Sequence, residues 1–180
     1  RISEITVGLM GMGVLGTSVA GKLQGSGFNV QGWVRTSRDN RDSNIFVGSE
    51  ELDEFLGKSQ ILICLLPLTP LTEGILNRKL FEKLPQNAYI INVARGGHLI
   101  EEDLLQMIGS GHLSGAALDV FRTEPLPPEH AFWKNPSISI TPHIASVTNP
   151  FSVVSQILDN FELMKQGKEL KNIVERKNGY

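Results

Sequence analysis

At 180 residues the chain is long enough for one sizeable hydrophobic core and marginal for two. Its composition, 41% hydrophobic and 20% charged, is that of an ordinary soluble globular domain. A net charge of -2 gives no global reason to expect nucleic acid or an acidic membrane surface as a partner, and no apolar run approaches the ~18 residues that a bilayer span requires. The opening Arg1-Ile2-Ser3-Glu4 is not a signal peptide, and Arg1 stands where an initiator Met would be. Cys64 is the single cysteine, which excludes an intrachain disulfide framework and fits a reducing cytoplasm.

Taken along the chain, Ile5 to Met10 is an apolar run that reads as a buried strand. Val14 to Gln24 carries Leu15, Val19, Ala20 and Leu23 at helical spacing, with Gly25 just beyond. Asn29 to Val34 reads as a second strand, and Ser49 as the N-cap of a short helix. The continuous run Ile61 to Leu66 suits a strand covered on both faces. A short helix over Arg78 to Leu84 and a strand over Ala88 to Val93 follow. Glu101 to Gly109 is a helix with Glu101, Glu102 and Asp103 in its positive first turn. Strands at Gly115 to Val120 and Ser137 to Thr141 flank a proline-rich loop, Glu124 to Pro128. Asn149-Pro150 then starts the longest helix, whose apolar stripe is Val153, Val154, Ile157, Leu158, Phe161 and Met164, and Gly167 ends it. The repeated alternation of strand and helix predicts an α/β fold, a doubly wound parallel sheet with helices on both faces.

Three groups of residues carry chemistry. Gly11-Met12-Gly13-Val14-Leu15-Gly16 is a GxGxxG between a strand and a helix, the Rossmann-type context that makes the pattern informative. Gly11 permits the tight turn, Gly13 lets backbone approach a pyrophosphate at the helix N-terminus, and Gly16 lets helix and strand pack closely. A glycine turn without a ligand is the bland alternative. At the end of the second strand, where an NAD-binding domain places an acid for the ribose hydroxyls, stand Arg35, Thr36, Ser37 and Arg38, with no acid before Asp39. Two guanidinium groups and two hydroxyls suit a 2′-phosphate, so NADP(H) is expected over NAD(H), against the alternative of an exposed basic loop. The third group, Arg95, Asp119, Glu124 and His143, follows predicted strands, and ligands in open parallel sheets bind beyond the carboxyl ends of strands. An Arg to grip a carboxylate, a His to give a proton and a Glu to hold the His would suffice to reduce a 2-keto acid.

The stretches Val7 to Gly16, Leu65 to Thr72, Asn92 to Gly96, Leu118 to Phe121, Glu124 to Pro128 and Ile140 to Ala145 together closely resemble the D-isomer-specific 2-hydroxyacid dehydrogenases, and within them the bacterial glyoxylate/hydroxypyruvate reductase A group. The tail, with Arg176 and Gly179-Tyr180, resembles that group too. The resemblance implies an oxidoreductase that reduces a small 2-keto acid with NADPH, working as a cytoplasmic homodimer without a membrane, nucleic acid or metal. It implies that Arg95 binds the substrate carboxylate and keto oxygen, that His143 is the general acid and Glu124 its holder, and that Asp119 lies near the nicotinamide. Pro67 and Thr72 would line the dinucleotide groove, with backbone at Val93 and Ala94 approaching the nicotinamide. It also implies a division into residues 1–148, the NAD(P)-binding domain, and residues 149–180, a helix and tail returning to a substrate domain that this chain lacks, so that the chain alone would bind cofactor with little turnover. A nucleotide-sensing binding module, corepressor-like, is the rival reading, since such proteins can keep the Arg–Glu–His set. Cys64 is expected to be core, and His98, His112 and His130 have no spacing that suits a metal.

Overall fold

A computed structural model describes residues 1–36, 44–146 and 150–173, apart from the side chain of Ser152. Seven strands form one sheet in the order β3-β2-β1-β4-β5-β6-β7, every neighbouring pair parallel. They are β1 (Thr6–Met10), β2 (Asn29–Val34), β3 (Ile45–Val47), β4 (Ile61–Cys64), β5 (Ala88–Asn92), β6 (Leu113–Leu118) and β7 (Ile138–Ile140). The helices are α1 (Val14–Gly25), α2 (Leu52–Lys58), α3 (Arg78–Phe81), α4 (Glu101–Gly109) and α5 (Pro150–Lys165).

The period of two along each strand divides the core. Val7 and Leu9 of β1, with Val30 and Ile63, pack with Ala20 of α1 on one face. Met10, Leu62, Cys64 and Ile90 point to the other face, into the cluster that holds Phe55 and Leu56 of α2, Phe81 of α3 and Leu104 of α4. Gly8 lies on the second face because α2 comes that close: a Cβ there would meet Ser59 Oγ at 2.1 Å and Phe55 at 2.9 Å. Cys64 is fully buried, and burial pushes its thiol up to about 12, so it is unreactive packing.

Local differences from the sequence reading have physical causes. Ser49 does not cap α2: its hydroxyl bonds Glu50 at 3.2 Å, and the helix begins at Leu52 with Glu51 before it. The strand β3 carries no signal of its own, being three residues long; it is placed by pairing with β2 and by Phe46 packing against Phe55, ring centroids 5.8 Å apart. The runs at 61–66 and 78–84 yield shorter elements: β4 ends at Cys64, and beyond Phe81 the chain tightens, with Lys83 and Leu84 N–H donating to Leu80 O and Phe81 O at 3.1 and 3.0 Å. Gly167, at φ 64, ends α5 as expected, with Lys168 N–H donating to Leu163 O at 2.9 Å; Asn149 lies outside the described residues. The apolar stripe of α5 is exposed, Ile157 by 60% and Phe161 by 50%. No described helix is long and apolar enough to cross a membrane.

Candidate active site

The strand order reverses between β1 and β4, and a parallel sheet opens a crevice at such a point. There the structure has an open cleft of about 810 Å³. Nearly every chemistry-bearing residue singled out from the sequence stands just past the carboxyl end of a strand: Gly11 after β1, Arg35 after β2, Pro67 after β4, Val93 to Arg95 after β5, Asp119 after β6 and His143 after β7.

At one end is the glycine loop. Gly11 adopts φ +105, and a Cβ there would meet Leu65 O at 2.9 Å, so only glycine lets the loop pass β4. Gly16 packs beneath it, where a Cβ would lie 2.0 Å from Gly11 O. Gly13 is different: among the described residues nothing lies within 4 Å of a Cβ built there, and no side chain caps α1. Space and the amides of the first helical turn together make a cradle for an anion. Val14 and Leu15 are exposed at its edge, by 93% and 52%. Arg35 and Thr36, both exposed, line the same cleft; Ser37 and Arg38 lie outside the described residues.

The middle wall is a hydrogen-bonded turn. Thr72 Oγ1 donates to Pro67 O at 2.7 Å and accepts from Thr69 N–H at 2.8 Å. Facing it, Asn92 shapes the turn after β5: its side chain accepts from Ala94 N–H at 3.2 Å and donates to Arg95 O at 3.1 Å. The exposed Arg95 side chain lines the cleft, with Nη1 donating to Ala94 O at 2.6 Å. Gly96 brings the next loop close, since a Cβ there would fall 1.9 Å from the Phe121 carbonyl carbon. That loop carries Glu124.

At the far end, His143 Nδ1 and Glu124 Oε2 are 2.8 Å apart, and the other Glu124 oxygen accepts from Phe121 N–H at 2.9 Å. The hydrogen bond to His143, then that from Phe121, holds the Glu124 carboxyl below its ordinary pKa. His143 has φ 54, a left-handed conformation uncommon for a residue other than glycine. Asp119 holds it there. Its backbone oxygen accepts from His143 N–H at 2.9 Å, and its carboxylate accepts from Ile144 N–H and Ala145 N–H at 2.9 Å each and from the Thr141 hydroxyl. Burial alone would raise the Asp119 pKa. The bonds from Thr141, Ala145 and Ile144, with the facing His143, outweigh that and hold the carboxyl ionised. The sequence reading assigned Asp119 to the cofactor. It does line the cleft, and its hydrogen bonds serve the loop that presents His143. Partners 22 to 26 residues away leave no local signal of that.

Arg95 and His143 therefore line one cleft, with Glu124 behind His143. Among the described residues no group of His, Cys, Asp and Glu could hold a metal. His112 bonds Phe81 O at 2.9 Å and His130 pairs with Glu101 at 3.2 Å, both structural.

Residues 1–145 match the model of the D-isomer specific 2-hydroxyacid dehydrogenase, NAD binding domain. A curated relative from Yersinia enterocolitica, named glyoxylate/hydroxypyruvate reductase A, is 48% identical over 177 residues, 98% of this chain and 56% of its own length. The chain thus spans just over half the length of the curated relatives it matches. A D-isomer specific 2-hydroxyacid dehydrogenase from Xanthobacter autotrophicus, solved with NADPH and MES, superposes with a TM-score of 0.95 at 40% identity, covering 99% of this chain and 74% of that one. An NADPH-dependent glyoxylate/hydroxypyruvate reductase from Sinorhizobium meliloti, solved with NADP and sulfate, gives 0.93 at 40% identity, over 100% of this chain and 58% of that one. With the glycine cradle at one end of its cleft and the paired His143 at the other, the chain belongs to the D-isomer specific 2-hydroxyacid dehydrogenases, whose NAD binding domain it carries.

Proposed function

We propose that the full-length protein reduces a small 2-keto acid, glyoxylate or hydroxypyruvate, to the D-2-hydroxyacid with NADPH. The observation that carries this reading is His143, held by Glu124 at 2.8 Å, in the same cleft as Arg95 and the open Gly13 cradle. The names of the relatives support an enzyme over a nucleotide-sensing module.

The cradle fits a dinucleotide. Backbone from Gly11 to Gly16 would meet the pyrophosphate, Pro67 and Thr72 would form the groove wall, and Val93, Ala94 and Asp119 would approach the nicotinamide. Bound NADPH supplies the hydride. Arg95 would grip the carboxylate and keto oxygen of the substrate, and His143 would give its Nε2 proton to that oxygen as charge develops there. Glu124 accepts from Nδ1, which sets the ring's direction; in the oxidative direction the unprotonated ring would serve as base. A steady-state screen of glyoxylate, hydroxypyruvate, pyruvate and phosphohydroxypyruvate with NADPH and NADH tests the reading. Absence of turnover with all four would sink it.

Arg35 and Thr36 line the cleft just past β2 and would meet the 2′-phosphate of NADPH, with Ser37 and Arg38 next in the chain. NADPH should bind more tightly than NADH, and Arg35→Ala should weaken NADPH about ten- to a hundredfold, from roughly 1.5–3 kcal/mol for a charge-assisted contact, while leaving NADH unchanged. Equal affinities for the two cofactors in a fluorescence titration would refute this.

The pH dependence follows from Glu124. Its carboxyl titrates below its ordinary value, so its charge is present throughout the neutral range and is lost only on acidification past that lowered value. Reduction should therefore keep its rate into mildly acidic pH and fall as pH drops past that lowered value; Glu124→Gln, which keeps an acceptor for Nδ1 but has no carboxyl to titrate, should lose this limb of the pH–rate profile. An acid limb unchanged in Glu124→Gln would show that it arises elsewhere.

The remaining proposals concern the whole protein. Residues 149–180 would return to a substrate domain, for which the exposed stripe of α5 is the support; a full-length structure with that stripe still in solvent would contradict it. We also propose a cytoplasmic homodimer without membrane or nucleic-acid partners. Sedimentation as a monomer at roughly tens of micromolar, or fractionation outside the cytoplasm, would count against it.

A further inference from the structure

His98 is fully buried, yet no step described above uses it. It sits on the seam between the two loops that wall the cleft. Its own backbone oxygen accepts from Leu76 N–H at 2.9 Å, and Gly97 O accepts from Gly74 N–H at 2.9 Å. Its ring reaches both walls: Nδ1 lies 3.1 Å from Arg95 O, and Nε2 lies 3.3 Å from Pro67 O. Arg95 O belongs to the residue that faces the substrate, and Pro67 O to the turn that Thr72 closes on the cofactor side.

We infer that His98 is a positioning residue whose ring ties the Pro67 wall to the Arg95 turn, fixing the distance between cofactor groove and substrate-gripping guanidinium. Both ring partners are carbonyl oxygens, which only accept, so an uncharged imidazole donates to one of them and an imidazolium to both. Burial, opposed by the carbonyls of Pro67 and Arg95 and aided by the Arg95 charge, lowers the ring's pKa from the ordinary histidine value. At neutral pH the ring is therefore uncharged and holds one proton. The bond from Nδ1 to Arg95 would be local, within a turn that Asn92 already braces. We place the single proton on Nε2, where its bond to Pro67 crosses the seam and couples the walls. The role of Arg95 in this inference rests on the reduction proposed above; the Pro67 half does not.

The test compares His98→Leu, His98→Asn and His98→Gln in the full-length protein. Leu removes both bonds at similar size, Asn places an amide near the Nδ1 position, and Gln places one near Nε2. Measured for each are NADPH affinity by fluorescence titration, KM and kcat for glyoxylate, and the thermal midpoint. Leu and Asn should weaken NADPH and raise KM for glyoxylate, each by about three- to tenfold, and Gln should restore both, since a buried neutral hydrogen bond contributes on that scale. A purely structural His98 would lower the thermal midpoint and leave Kd and KM of the folded protein unchanged, and that result overturns the inference. So does a Gln variant no better than Asn, a comparison that still decides if the Leu variant fails to fold. If the parent protein turns over no 2-keto acid, the proposed reaction falls, and the NADPH series alone still tests the tie to Pro67.

Discussion

Replacing His143 by Gln should lower kcat for 2-keto acid reduction by about a hundred- to ten-thousandfold, the range that a positioned general acid contributes. As hydride reaches the keto carbon, the oxygen becomes an alkoxide, and Arg95 can pair with it but cannot give up a proton at any accessible pH. His143 is the group in the cleft that would, giving its Nε2 proton while Nδ1 faces Glu124 at 2.8 Å. Gln keeps a donor near the same place without a transferable proton. NADPH affinity should be unchanged, because the Gly13 cradle and Arg35 belong to the loops after β1 and β2, and His143 to the loop after β7. A Gln variant with more than a tenth of the parent kcat (roughly, on the same scale) would remove His143 from the mechanism.

The second large effect is expected one residue beyond β6. Asp119→Asn preserves shape and replaces one acceptor oxygen by an NH2 group. Its remaining oxygen can serve Thr141 and Ile144, and the amide is left facing Ala145 N–H, donor against donor. Losing a buried charge-assisted bond of about 1.5–3 kcal/mol should release the left-handed turn at His143 and reduce kcat about ten- to a hundredfold. The Asp119 pKa is depressed, so its contribution is complete above the ordinary carboxyl value of 3.8 and is lost as pH falls through the lowered folded-state value. The parent's loop order should thus hold through neutral and mildly acidic pH. If Asp119→Asn kept the parent kcat while losing NADPH affinity, the cofactor contact would matter more than the loop.

Much of this site was legible because its requirements are local. Gly11, Gly13 and Gly16 form one pattern between a strand and a helix, with Gly11 at φ +105 and Gly16 packed on Gly11 O, and strand-end positions for Arg95, Asp119 and His143 follow from runs of apolar residues. The geometry that makes those residues a site was not legible. Asp119 organises residues beyond the next loop, Gly96 exists for backbone at Phe121, and His98 bridges Pro67 across 31 positions. Strand β3 has no periodicity to read in three residues, and the stripe of α5 is a pattern that says nothing of what covers it.

The central claim is that this cleft moves hydride from NADPH to a 2-keto acid, and the most direct measurement is transfer of label. The full-length protein is given NADPH deuterated at nicotinamide C4 on the transferred face, together with glyoxylate, and the product is analysed by mass spectrometry. The account predicts glycolate carrying one deuterium on C2, formed in step with NADP⁺ and suppressed in His143→Gln. Binding of NADPH without label reaching glycolate, or labelled product at the parent rate in His143→Gln, would contradict it.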